Sequence, residues 1–147
     1  MTQDAPQPSS FWQNAGGQLG VVFLLAVLLR LVFVLYYGPI LTNDSYYYLS
    51  VANNVLEGKG FGLPYRAPPV YASFLAAVLA VADSHRAIVV AQALLGSLTC
   101  VVLAAVCRRI FQPRMAFLLG LAVALYVPMA AFCTTVLRET KCPGDPA

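Results

Sequence analysis

Asp44, Lys59 and Arg66 are the residues whose types and spacing could do chemistry. They stand in LTNDSYYYLSVANNVLEGKGF, residues 41–61, and in the GKGFGLPYRAPP that overlaps its end. Asp44 directly follows a long apolar run, in a chain of which only 10% is charged. A carboxylate close to a hydrocarbon edge is costly, and acids at that depth are functional by default. Lys59 and Arg66 sit in a loop with three glycines and three prolines. Two cations in such a loop, beside an anion, suit recognition of a phosphate. The glycines follow a helix and not a strand, so a dinucleotide fingerprint does not apply. Between acid and cations come Tyr46, Tyr47 and Tyr48. Two readings stay open for them: an interfacial aromatic belt, or rings on which a sugar face stacks.

The elements that must position these residues follow from the solvent. Of 147 residues 60% are hydrophobic, and the mean hydropathy is +0.74. A soluble domain of this length carries roughly 25% charged residues. There is too little polar surface here to coat a water-soluble globule, so the solvent is a bilayer. The net charge of +3 comes from scattered arginines with no basic tract, which argues against a nucleic-acid partner. Cys100, Cys107, Cys133 and Cys142 show no metal-like spacing, and the three in apolar runs read as small hydrophobes.

Residues 19–37, 87–107 and 115–137 are apolar runs long enough to cross a hydrocarbon core, which needs about 20 helical residues. The first is no cleavable signal, because residues 1–17 hold no lysine or arginine. Residues 70–82 reach only about 20 Å as a helix and are expected to lie at the interface. That choice puts Arg108, Arg109 and Arg114 on the side of the N-terminus, as the positive-inside rule prefers. The expected fold is therefore an all-α polytopic membrane protein. It has a cytoplasmic tail (1–18), three spans, and an external loop (38–86) carrying amphipathic juxtamembrane helices. Asp44 and Glu139 then share the outer face. Apolar positions at Tyr48, Val51, Ala52, Val55 and Leu56 repeat with helical period, Asn43, Asp44 and Ser45 are N-cap residues, and Gly58 is a terminator. A helix N-terminus should hold the Asp44 carboxylate ionised. Ala93, Ser97, Cys100 and Ala104 form one small-residue stripe, and Ala116, Gly120 and Ala124 another, as close helix packing in lipid requires. Pro128 should kink the third span. Arg30, inside the first, is expected to snorkel or to pair with an acid.

The ordered set of an arginine-bearing first span, NDSYYYLSVANNVLEGKGF, YRAPPVYASFLA, AQALLGSLTCVVLAAVCRRIF and LYVPMAAFCTTVLRET resembles the opening of GT-C glycosyltransferases. The resemblance is to the branch of polyprenyl- or dolichyl-phosphate-sugar-dependent mannosyl- and arabinosyltransferases. The resemblance covers residues 19–140 and departs in places: Ala72 stands where members often have proline after the tyrosine. It implies that Asp44 is the catalytic base and that Glu139 is the second acid near the same face. It further implies a polyprenyl-phosphate-sugar donor, an acceptor hydroxyl and a cell-membrane (inner or plasma) location. Lys59 and Arg66 would meet the donor phosphate and Tyr46 and Tyr47 the sugar. A divalent cation near Asp44 and Glu139 is compatible but not demanded. Members are several times longer, and residues 141–147 form a polar tail unlike the apolar segment expected next. The chain is thus expected to be a partial GT-C module, inactive alone. The alternative is a small non-enzymatic polytopic protein, a transporter fragment or an assembly subunit.

Overall fold

In hydrocarbon only a helix satisfies its own backbone within one segment, and each named element of this chain is helical. The computed structural model describes residues 14–41, 43–62, 68–82 and 84–135, without the side chains of Asn43 and Asp44. Helix α1 (Ala15–Tyr37) starts at Asn14, whose Oδ1 accepts the Gly17 N–H at 3.0 Å. Its buried residues are Gln18, Val22, Ala26, Arg30 and Val34, one every fourth position. Such a file is a single ridge laid into a neighbour's groove. Around the rest of the helix Leu24, Leu28, Val32 and Leu35 are exposed. A contiguous apolar face of that extent belongs in lipid.

Helix α4 (His85–Ile110) is the groove. It opens on Ser84, whose Oγ accepts the Arg86 N–H, and buries Ile88, Val89, Ala93, Ser97, Cys100 and Ala104. Both α1 and α4 pack against α5 (Pro113–Ala124), which buries Ala116, Gly120 and Ala124. Every member of the two expected small-residue stripes is therefore inside the bundle. Contact is tightest at Gly120, where a Cβ would stand 2.7 Å from the Ala104 Cβ and 3.4 Å from Val22.

The third span is broken rather than gently kinked. Helix α5 ends at Ala124, and α6 (Val127–Ala131) restarts at 51° to it before a 3₁₀ turn over Phe132–Thr134. Pro128 has no N–H to offer the Ala124 carbonyl, and it sits in the first turn of α6, where a missing donor costs nothing. Among the described residues two helices are long and apolar enough to cross a membrane, and three if α5 and α6 count as one span. The chain is an all-α, multi-pass membrane protein.

Helix α2 (Asn43–Leu56) and helix α3 (Pro69–Val81) cover one end of this bundle. They pack on each other and on α4 through Tyr48, Leu49, Ala52, Leu75, Ala76, Ile88 and Val89, with Val34 of α1. At 13 residues, α3 is too short to span. The ends of the bundle are marked by contacts. At one, Arg108 donates to Gln18. At the other, the Ile40 N–H donates to the Thr134 carbonyl at 2.9 Å, tying the exit of α1 to the exit of the third span.

Candidate functional site

Helix α2 starts earlier than the apolar pattern indicates. Asn43, Asp44 and Ser45, expected as caps, are its first three residues, and Ser45 is fully buried. Asp44 thus lies in the first turn, where unpaired N–H groups and the helix dipole favour an anion. The expected apolar stripe is largely kept. Tyr48, Val51 and Ala52 are buried, Leu49 joins them, and Leu56 turns outward. The other end closes on Gly58 at φ 73°: the Lys59 N–H bonds to the Asn54 carbonyl at 2.8 Å and the Gly58 N–H to that of Val55 at 3.1 Å. This is a Schellman closure, which needs a residue at positive φ.

The three tyrosines separate into two kinds. Tyr48 is core, edge-on to Tyr71 with ring centroids 5.3 Å apart. Tyr46 and Tyr47 are exposed on the outer side of α2, where both readings of them remain available. Lys59 is exposed and paired with Glu57, Nζ to Oε2 at 2.5 Å. An exposed pair of this kind contributes about 0–1 kcal/mol and releases its cation readily. From Asp44 to Leu56 the helix rise amounts to about 18 Å, so α2 holds Lys59 at the far end from Asp44 and does not bring the two together. Arg66, Glu139 and the Asp44 side chain lie outside what the structure describes. Among the described residues no group of three His, Cys, Asp or Glu side chains gathers to hold a metal, and the place near Asp44 and Glu139 where the resemblance is compatible with a cation falls outside them.

A feature of the interior that sequence reasoning missed lies between α1, α4 and the broken span. Arg30, 1% exposed, does not snorkel. Its guanidinium reaches back one turn, away from the Tyr37 end, and donates to the Ala26 carbonyl at 3.2 Å and to Cys100 Sγ at 3.5 Å. Among the described residues no carboxylate pairs with it. Gly96 leaves the room: a Cβ there would stand 3.2 Å from Arg30 Nε. Arg30 lines a pocket of about 530 Å³ together with Gln92, Thr99, Leu103, Met129 and Phe132. Gln92 Nε2 donates to the Tyr71 hydroxyl at 2.9 Å, and its buried Oε1 has no partner among the described residues. The signal in the sequence was the presence of Arg30 and Gln92 inside apolar runs; that they share one cavity depends on the break before Pro128. A smaller pocket of about 310 Å³ lies at the Tyr37 end, between Phe33, Tyr37, Ile40, Pro128 and Phe132.

Comparison with curated proteins and with solved structures gives no match. Residues 66–142 match the sequence model of the dolichyl-phosphate-mannose-protein mannosyltransferases, a stretch that takes in Arg66, α3, α4, the broken span and Glu139 and leaves Asp44 upstream. The match extends over just more than half of the chain, and with the apolar helical bundle it identifies the protein as a member of that family of membrane glycosyltransferases.

Proposed function

We propose that the chain forms the acceptor-activating part of a GT-C transferase that moves a sugar, mannose by the family's description, from a polyprenyl-phosphate donor to an acceptor hydroxyl. The observation that carries this reading is the position of Asp44. It opens a juxtamembrane helix at the end of the bundle where α1 and the third span exit together. The opposite end carries Arg108 and Arg109 in the last turn of α4. Basic residues mark the cytoplasmic side, so the N-terminus is cytoplasmic and Asp44 faces outward from the cell membrane.

In the reaction Asp44 takes the proton of the acceptor hydroxyl as that oxygen attacks the anomeric carbon. The bond from that carbon to the lipid phosphate breaks, and a single displacement inverts the configuration. Arg66 stabilises the departing phosphate. Lys59, past the far end of a helix that rises about 18 Å from Asp44 to Leu56, attracts the anionic donor from a distance rather than touching the reacting carbon. Tyr46 and Tyr47 offer exposed rings to the sugar, and Glu139 orients the acceptor. The cytoplasmic tail, expected over residues 1–18, gives way to α1 at Ala15, and residues 19–140 belong to the catalytic module.

Three spans do not enclose a cavity for donor and acceptor together, so the 147-residue chain alone is expected to give no transfer from polyprenyl-phosphate-mannose in proteoliposomes. Asp44-dependent turnover by it would refute that expectation. For the role of Asp44, the chain replaces the matching segment of an active family member. The chimera is expected to transfer mannose, and Asp44→Asn to slow it about 10²–10⁴-fold, the usual contribution of a positioned base. An undiminished rate in that variant rejects the assignment.

A further inference from the structure

The reaction proposed above leaves the break in the third span unexplained. A span that stops inside the membrane gives up backbone hydrogen bonds, and irregular backbone at that depth persists only where protein or a cavity covers it. Here the break redirects the chain. From Val127 to Thr134 the half-span rises about 10 Å, so its 51° angle to α5 displaces its end by about 8 Å. Both α6 and the 3₁₀ turn pack against α1. Three carbonyls of the delivered end are taken internally. That of Ala130 accepts from the Cys133 thiol at 2.8 Å, that of Ala131 from the Thr134 hydroxyl at 2.7 Å, and that of Phe132 from the Thr135 N–H at 3.2 Å. The Thr134 carbonyl instead accepts from another element, the Ile40 N–H at 2.9 Å, and Ile40 pairs in parallel with Thr135. Gly38, at φ 65°, has ended α1 two residues before this contact.

Parallel pairing has a consequence for the two acids. Asp44 follows Ile40 by four residues, and Glu139 follows Thr135 by four. Four residues reach at most about 14 Å when fully extended, so both acids are leashed to one short tie. We infer that the broken half-span is the positioning element of the proposed site. Pro128 sets the turn, and the bond from Ile40 to Thr134 fixes the start of α2 and with it Asp44. Neither residue touches substrate; each acts through the placement of the base.

This inference rests on Asp44 being the base, so its first test needs no activity. The full chain is reconstituted in phosphatidylcholine nanodiscs, and amide exchange is read residue by residue by NMR. Ile40→Pro removes the donor and suits extended backbone. Exchange at residues 47–50 is expected to quicken about tenfold, the factor of one net hydrogen bond, with residues 53–56 at parent rates. Unchanged rates at 47–50 overturn the inference, as does an equal acceleration along all of α2. The second test uses the chimera described above. There Ile40→Pro should lower kcat about 10–10²-fold, as misplacing a reacting group does, with KM for polyprenyl-phosphate-mannose unchanged. Pro128→Ala returns an N–H to the Ala124 carbonyl and lets the helix run on. It is expected to unfold no earlier than the parent and still to lose rate, a combination that a merely stabilising contact would not give. Gly120→Ala, at the tight contact of α4 with α5, should lose stability and keep the parent kcat. A loss in Ile40→Pro no larger than in Gly120→Ala overturns the inference, as does a full rate in Pro128→Ala once exchange shows the tie released. Failure of the base and failure of the tie stay distinguishable, the first showing in Asp44→Asn and the second in the exchange rates.

Discussion

The two ends of the bundle are built from the same three spans and solve the packing problem in opposite ways. Toward the Gln18 end, α1, α4 and α5 close on Val22, Ala104, Ala116 and Gly120, small enough for backbones to touch through a single methyl layer. Toward the Tyr37 end the third span turns away by 51°, and a cavity of about 530 Å³ opens with Arg30 and Gln92 on its wall. Lipid gives helices no hydrophobic drive to associate, so close packing has to supply it. The comparison teaches that stability and polar capacity are separated along the membrane normal: the sealed half holds the helices, and the open half can carry groups a sealed seam would exclude.

The sharpest way to break the sealed half is Gly120→Leu. Even the Cβ of Gly120→Ala would meet the Ala104 Cβ at 2.7 Å. Overpacking of a filled core costs about 1–3 kcal/mol, so the alanine variant is expected in that range and the leucine variant above it. Unfolding in detergent mixtures, followed by helix ellipticity, reads both. Ala104→Gly removes the opposing methyl and should restore most of the loss in Gly120→Ala. Failure of that rescue would mean that the seam is not what holds α5 to α4.

Much of the sealed half could be read from residue spacing. Ala93, Ser97, Cys100 and Ala104 repeat every three or four positions, and that regularity is local, so helical period alone predicts that they face one way. The closure of α2 at Gly58 is legible for the same reason. The open half was not, because it rests on contacts far apart in the chain. Nothing near Arg30 indicates that Gly96, 66 positions later, leaves room for its guanidinium. Nor does proline itself say whether a span will bend or stop, since that depends on what receives the freed Ala124 carbonyl. The start of α2 could be narrowed to residues 43–45 but not to one of them, because Asn43, Asp44 and Ser45 are good caps and also tolerable first-turn residues. Of the candidate site, residue types could be named from sequence, whereas the separation of Asp44 from Lys59 only follows once the helix between them is continuous.

The open half is tested more gently by Tyr71→Phe. The Tyr71 hydroxyl is the acceptor for Gln92 Nε2, and Gln92 Oε1 already lacks a partner among the described residues. Removing the hydroxyl leaves a largely buried amide with neither contact, a cost of about 1–3 kcal/mol. Here the lower half of that range is expected, because the adjoining cavity gives the amide room to turn. Tyr71→Phe combined with Gln92→Leu deletes both partners and should recover the stability of the parent chain. If the double variant is as weak as the single one, the Tyr71–Gln92 bond is not what ties α3 to α4.

The smallest effect is expected from Gln18→Leu, and it sharpens the contrast most. Gln18 is 1% exposed, more deeply buried than Gln92, and accepts from Arg108. Its position differs. It lies one turn inside the end of α1, and Arg108 belongs to the last turn of α4, next to the interface. A long cation released there can reach water or headgroups without leaving an unpaired charge inside. Leucine is close to glutamine in length and packs in the same groove between α4 and α5. The change should therefore stay within about 1 kcal/mol in the same unfolding measurement, the scale of a single net hydrogen bond. A loss larger than that of Tyr71→Phe would show that a polar clamp, rather than the small-residue seam, secures the Gln18 end, and the division of labour between the two halves would have to be withdrawn.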